Sequence, residues 1–134
     1  MPVIQILGIP QCPPGNPNYT EAKWQRALDH LAQTIKNTVA GLPILGIPAS
    51  EVFVFFPADL LQGGLGETLI ATVSGLFEKP ERTAEVLKSL TDAITEVLGE
   101  FAEKHLTRCG TVEAYIISAL DPAALSLIEI PRTK

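Results

Sequence analysis

The chain opens Met1-Pro2-Val3-Ile4-Gln5-Ile6, and Pro2 is the residue there with unusual chemistry within reach. A proline lacks an N–H and fits a strand only at its first residue or on an edge, so Pro2 can simply start an edge strand. If Met1 is removed, Pro2 becomes an N-terminal secondary amine, which takes and gives protons. With Met1 attached, its nitrogen is a tertiary amide and cannot act as a base. From these two residues alone the edge-strand reading is the simpler one, and the rest of the chain has to decide.

Other reactive residue types are scattered. Cys12 and Cys109 are able to pair in principle, but two cysteines in an unexported chain read as free thiols. Cys12 has no His or Asp near it in sequence to make it a nucleophile. His30 and His105 are isolated, and neither CxxC nor HxxxH occurs, so no metal site is expected; no motif implies a cofactor. Gly63, Gly64 and Gly66 lack the GxxxxGK[ST] setting of a phosphate loop and read as a flexible turn. Trp24 reads as a packing residue on a helix face, and Glu67 and Glu78 as solvated strand-end charges.

The length of 134 residues fits one domain spanning 1–134. Hydrophobic residues make up 46% and charged ones 19%, with mean hydropathy +0.25. A small monomer needs more polar cover than that, so burial between identical subunits is expected. The net charge of −5 and the pI of about 4.9 come without a basic run, which speaks against nucleic acid. No apolar stretch reaches 18 residues, and no basic segment leads into an apolar one. No membrane partner and a cytoplasmic location are expected.

The elements that must position these residues follow from spacing. Residues 3–7, VIQIL, read as a strand, and the proline- and glycine-rich 8–18 as a loop. A helix starts near residues 18–20, buries Trp24, Ala27, Leu28, Leu31, Ile35 and Val39, and stops at Gly41 and Pro43. Residues 50–56, SEVFVFF, read as a strand closed by Pro57. Residues 68–77 read as another strand, and Pro80 suits the first turn of a second helix. Val86, Leu87, Leu90, Ile94, Val97, Leu98 and Phe101 mark that helix to about His105. Residues 111–120 form a fourth strand, and 125–130 read as a short extra one. The chain is thus β-α-β twice, in halves of about 1–61 and 67–121, followed by a short C-terminal tail. Each crossover brings two strands parallel and is right-handed, which puts both helices on one face of a four-stranded sheet. The run Val52-Phe53-Val54-Phe55-Phe56 leaves no polar side, so the other face is expected to be covered by partner subunits.

An N-terminal proline opening a strand, followed by a duplicated β-α-β, resembles the tautomerase superfamily, which includes 4-oxalocrotonate tautomerase and macrophage migration inhibitory factor. The resemblance covers roughly residues 2–121. Pro2-Val3-Ile4-Gln5-Ile6 is similar to the family's opening strand. Phe56-Pro57-Ala58-Asp59-Leu60-Leu61 with Gly63-Gly64 is similar to the segment after the second strand of the inhibitory factor. Val73-Ser74-Gly75-Leu76-Phe77-Glu78-Lys79 looks like a second copy of the first-strand-to-helix passage. The resemblance implies an α+β fold with two antiparallel helices on one face of the sheet, and a trimer whose sheets build a central barrel. It implies keto–enol isomerisation of a small carbonyl compound, with the Pro2 amine as general base. Lys79 and Arg82, at the start of the second helix, and Ser74 are the candidates for substrate binding. The second strand, Glu51-Val52-Phe53-Val54, lacks the arginine of the single-length members; Lys23 and Arg26 are the cations of the first helix. The alternatives are a non-catalytic trimeric binding or scaffold protein with Met1 retained, and a ferredoxin-like module in which neighbouring strands are antiparallel.

Overall fold

Ile4 and Ile6 alternate with Gln5 and Leu7 along β1, Val3–Leu7, and the two isoleucines are fully buried. The period of two sends one set of side chains to the core and the other outward. The computed structural model describes residues 2–10, 20–57, 68–76, 83–106 and 109–117. Thr20 starts α1, Glu21–Ala40, by accepting the Lys23 N–H on its hydroxyl at 3.2 Å. Its buried face is Trp24, Leu28, Leu31, Ile35 and Val39, as the spacing predicts. Two 3-10 turns, Pro43–Leu45 and Ala49–Glu51, lead into β2, Phe53–Phe55. The second half contributes β3, Thr68–Ser74, then α2, Ala84–His105, then β4, Thr111–Ile116. Thr83 caps α2 as Thr20 caps α1, here accepting the Val86 N–H at 3.3 Å.

The sheet order is β2-β1-β3-β4. β1 runs parallel to β2 and β3 parallel to β4, while β1 and β3 pair antiparallel through five residues, from Val3 opposite Ser74 to Leu7 opposite Ile70. Each helix therefore joins two adjacent parallel strands, which rules out the ferredoxin-like wiring. The fold is α+β, with the helices on one face and antiparallel to each other. Ile4, Ile6, Leu69, Ala71 and Val73 meet the helices in one continuous core.

Several expected boundaries move. The strand expected over 50–56 shrinks to Phe53–Phe55, because Glu51 and Val52 donate backbone bonds to Pro48 and Ala49 and close a tight turn first. The strand expected over 68–77 ends at Ser74, where Gly75 takes φ +80°. α2 begins at Ala84 with Thr83 as its cap, and Pro80, expected in a first helical turn, lies outside the described residues. β4 ends at Ile116, although the Ile117 N–H still reaches the Val73 carbonyl at 2.8 Å. The expected strand at 125–130 lies outside the described residues.

The uncovered face of the sheet also differs from the expectation of no polar side. The rows running across it are Phe53, Val3 and Ser74; then Phe55, Gln5, Thr72 and Tyr115; then Leu7, Ile70 and Glu113. Exposed apolar groups stand at both edges, Phe53 and Phe55 on β2 and Tyr115 and Ile117 at β4, with Leu7 on central β1. Ser74, Thr72, Tyr115 and Glu113 add polar groups to the β3–β4 side, among Ile70 and Ile117. Val52 and Val54 turn to the helix side instead, because alternation splits the apolar run between both faces.

Two local features give measurable consequences. Gly8 ends β1 at φ +95°, and a Cβ there would collide with the Thr68 carbonyl oxygen. Gly8→Ala combines left-handed strain with that collision and should destabilise the protein by about 2 kcal/mol or more, read from the urea midpoint. His105 packs on Phe101 at 4.7 Å and on Trp24 at 6.1 Å between ring centroids. Burial first, and then the neighbouring Lys104 charge, hold its imidazolium below the ordinary histidine range. A folded-state pKa below the unfolded one means stability present above the unfolded value of about 6.5 and lost as pH falls through the folded one. Unfolding at pH 7.5 and pH 5 should show wild type losing more stability on acidification than His105→Gln.

Candidate active site

Pro2 stands at the head of β1, a central strand. Its carbonyl accepts the Phe53 N–H at 3.1 Å, which ties it to the start of β2. Carrying the β1–β3 register back by one residue sets Pro2 beside Gly75, where β3 turns away. Pro2 is buried, and alternation puts it on the same side as Ile4. The expected apolar neighbours of an N-terminal proline on this strand are Ile4, Val73 and Phe55, from the strand runs that surround it. Ile4 and Val73 are opposed in the register and both buried. Phe55 instead pairs with Gln5 on the uncovered face, three residues along the strand, and buried Val52 occupies the equivalent neighbourhood. Val52 follows a 3-10 turn that nothing in the residue pattern announces.

Ser74 lies one step from Pro2 in the register but on the uncovered side, next to Val3. It is half-buried, and its hydroxyl donates to the Val3 carbonyl at a long 3.5 Å. The structure thus brings Pro2 and Ser74 to one end of the β1–β3 pair. Lys79 and Arg82 lie outside the described residues, as do Cys12, the glycines of 62–66, Glu67 and Glu78.

The α1 cations are elsewhere. The Trp24 indole N–H donates to the Pro10 carbonyl at 2.8 Å, pinning the start of α1 to the far end of β1. Lys23 and Arg26 accompany it and line a groove of about 490 Å³ between α1 and α2 with Lys104 and His105. Within one chain this sets them apart from Pro2. Trp24 itself packs, as its spacing predicts, 1% exposed and 5.8 Å from the Phe101 ring.

A further group is absent from the sequence reading. Tyr115 on β4 donates its phenolic O–H to Glu113 at 2.7 Å, and that bond, then the carboxylate charge, then burial, push its pKa above the ordinary phenol value. The two are i and i+2 in a strand, hence on one face, which the alternation in TVEAYI makes readable. Cys109 is a free, half-buried thiol. Among the described residues no group of three or more His, Cys, Asp and Glu is arranged to hold a metal ion, and no helix is long and apolar enough to cross a membrane.

Neither a protein-family model nor a curated protein sequence matches the chain. Solved structures do. The R7 fused 4-OT wild-type asymmetric trimer is 13% identical with a TM-score of 0.55, over 89% of each chain. The F6 fused 4-OT wild-type asymmetric trimer is 15% identical at 0.53, again over 89% of each. FG41 malonate semialdehyde decarboxylase inhibited by 3-bromopropiolate is 14% identical at 0.51, over 98% of this chain and 99% of that one. At such identities the likeness is one of architecture, and it extends through both β-α-β halves. The fold of this chain is that of the tautomerase superfamily.

Proposed function

We propose that this chain is a tautomerase-like isomerase. It moves a proton next to the carbonyl of a small oxo-acid or enol compound, with the Pro2 amine, freed by removal of Met1, as general base. The observation that carries this reading is the setting of Pro2, buried at the head of a central strand beside Ile4, Val52 and Val73. An amine there loses hydration, which disfavours its charged form and lowers its pKa toward neutrality. Acid–base catalysis is most effective in that range. Lys79 and Arg82 are the proposed cations for a substrate carboxylate, and Ser74 the proposed polar contact. The uncovered sheet face, with Phe53, Phe55, Leu7, Tyr115 and Ile117 exposed across it, supports a homotrimer in which neighbouring subunits cover it.

The second reading is a non-catalytic trimeric binding or scaffold protein with Met1 retained. It is favoured by the absence of an arginine from Glu51-Val52-Phe53-Val54. Intact mass separates the two, since Met1 retained throughout leaves Pro2 as an amide.

The direct test is a pH–rate profile on phenylenolpyruvate. The protein with a free Pro2 should turn it over, with rates rising as the amine deprotonates. A form extended by one residue before Pro2 should be inactive, and Pro2→Ala, which keeps a primary amine, weakened. Equal rates for the free and extended forms would remove Pro2 from the mechanism. Sedimentation at micromolar concentration should give a trimer, and a monomer would refute the subunit-covered sheet.

A further inference from the structure

The groove between α1 and α2 has no part in the chemistry proposed for Pro2. It lies at the opposite end of the molecule, where the start of α1 meets the end of α2. Lys23, Arg26 and His30 line it from α1, at intervals of three and four residues. Lys104 and His105 line it from α2. The floor is apolar, from Leu31, Val97 and Phe101. A volume of about 490 Å³ falls within the range of small-molecule sites.

The charge is as distinctive as the shape. The whole chain carries −5, with ten Lys and Arg and two His. Three of those cations and both histidines line this one groove, against a single carboxylate, Glu100. Elsewhere on α2 a lysine is paired: Lys88 contacts Asp92 at 3.1 Å. Among the described residues Lys23, Arg26 and Lys104 have no ion-pair partner. A solvated helix face explains lone exposed lysines. It does not explain cations drawn from two helices around a concave apolar floor in an acidic protein.

We propose that this groove binds a small aromatic or acyl carboxylate, with the hydrocarbon body on Leu31, Val97 and Phe101 and the carboxylate among Arg26, Lys23 and Lys104. Arginine presents a fork that matches a carboxylate, and the flanking lysines add charge without demanding geometry. Apolar contact supplies the non-directional part of the affinity, and the cations decide against neutral analogues.

The probe is naphthalene-2-carboxylate, titrated calorimetrically and followed by amide chemical shifts on the full chain, with naphthalene-2-carboxamide as the neutral control. Shifts should centre on residues 23–34 and 97–105. The carboxamide should bind at least tenfold more weakly, and added salt should weaken the carboxylate. The double variant Arg26→Gln, Lys104→Gln changes exposed side chains only, so it should fold normally and lose at least tenfold in affinity. The form extended before Pro2 should bind as tightly as wild type, which separates this site from the tautomerase reading. Shifts centred on residues 53–55 and 70–74, equal binding of acid and amide, or an unchanged Kd in the double variant would each overturn the proposal.

Discussion

The antiparallel pairing of β1 with β3 is the constraint on which the rest of the molecule depends. Each β-α-β half has a helix with one apolar stripe and a pair of strands with one apolar face. Neither half alone encloses a core. Five paired residues across the centre of the sheet bring Ile4 and Ile6 against Leu69, Ala71 and Val73, all at 0–1% exposure. Fully burying side chains of this size is worth roughly 1.5–3 kcal/mol each for the larger ones. Register carries a second consequence. A slip of one residue would turn both isoleucines to the uncovered face and Gln5 into the core. The positive-φ glycines set the limits of the pairing: Gly8 ends β1 against Thr68, and Gly75 ends β3 beside Pro2.

Wiring then fixes where chemistry is possible. A parallel pair needs a crossover, and the crossover helix must run opposite to its strands. The start of α1 is therefore sent to the far end of β1 from Pro2. Trp24 records this in one bond, its indole N–H on the Pro10 carbonyl. Lys23 and Arg26 travel with that turn. Their separation from the Pro2 of the same chain is a consequence of topology, and no choice of rotamer reverses it.

Much of this architecture is legible in the residues. Spacing of three and four identifies every buried position of α1, and the β-α-β plan anticipates the two parallel pairs, while the order that sets β1 beside β3 comes only from the structure. What escapes is local and has local causes. Residues 50–56 look like seven residues of strand, since nothing apolar in Phe53-Val54-Phe55-Phe56 distinguishes a strand from its approach. Backbone bonds to Pro48 and Ala49 claim the first part for a 3-10 turn. The same segment misleads about the sheet faces. A run of aromatic and β-branched residues suggests two apolar surfaces, but side chains alternate and the neighbouring strands supply Gln5, Thr72, Ser74 and Glu113 to the uncovered side. Thr83 offers a hydroxyl that satisfies a free N–H of the first turn of α2, a cap readable in the sequence only once the helix start is known.

Pro2 differs from these cases because its chemistry is not a property of the fold. The same atoms at the head of the same strand are an inert amide or a base according to one peptide bond. Folding contributes the surroundings: a carbonyl held by Phe53, the turn at Gly75, and apolar neighbours in Ile4, Val52 and Val73. Those surroundings favour a neutral nitrogen in either case. For an amide, burial is ordinary core packing and costs little, since proline has no N–H to leave unsatisfied. For an amine, the same burial would disfavour the charged form. A proline at this position is therefore compatible with both states, whereas any other residue would carry an additional N–H into the apolar end of the sheet.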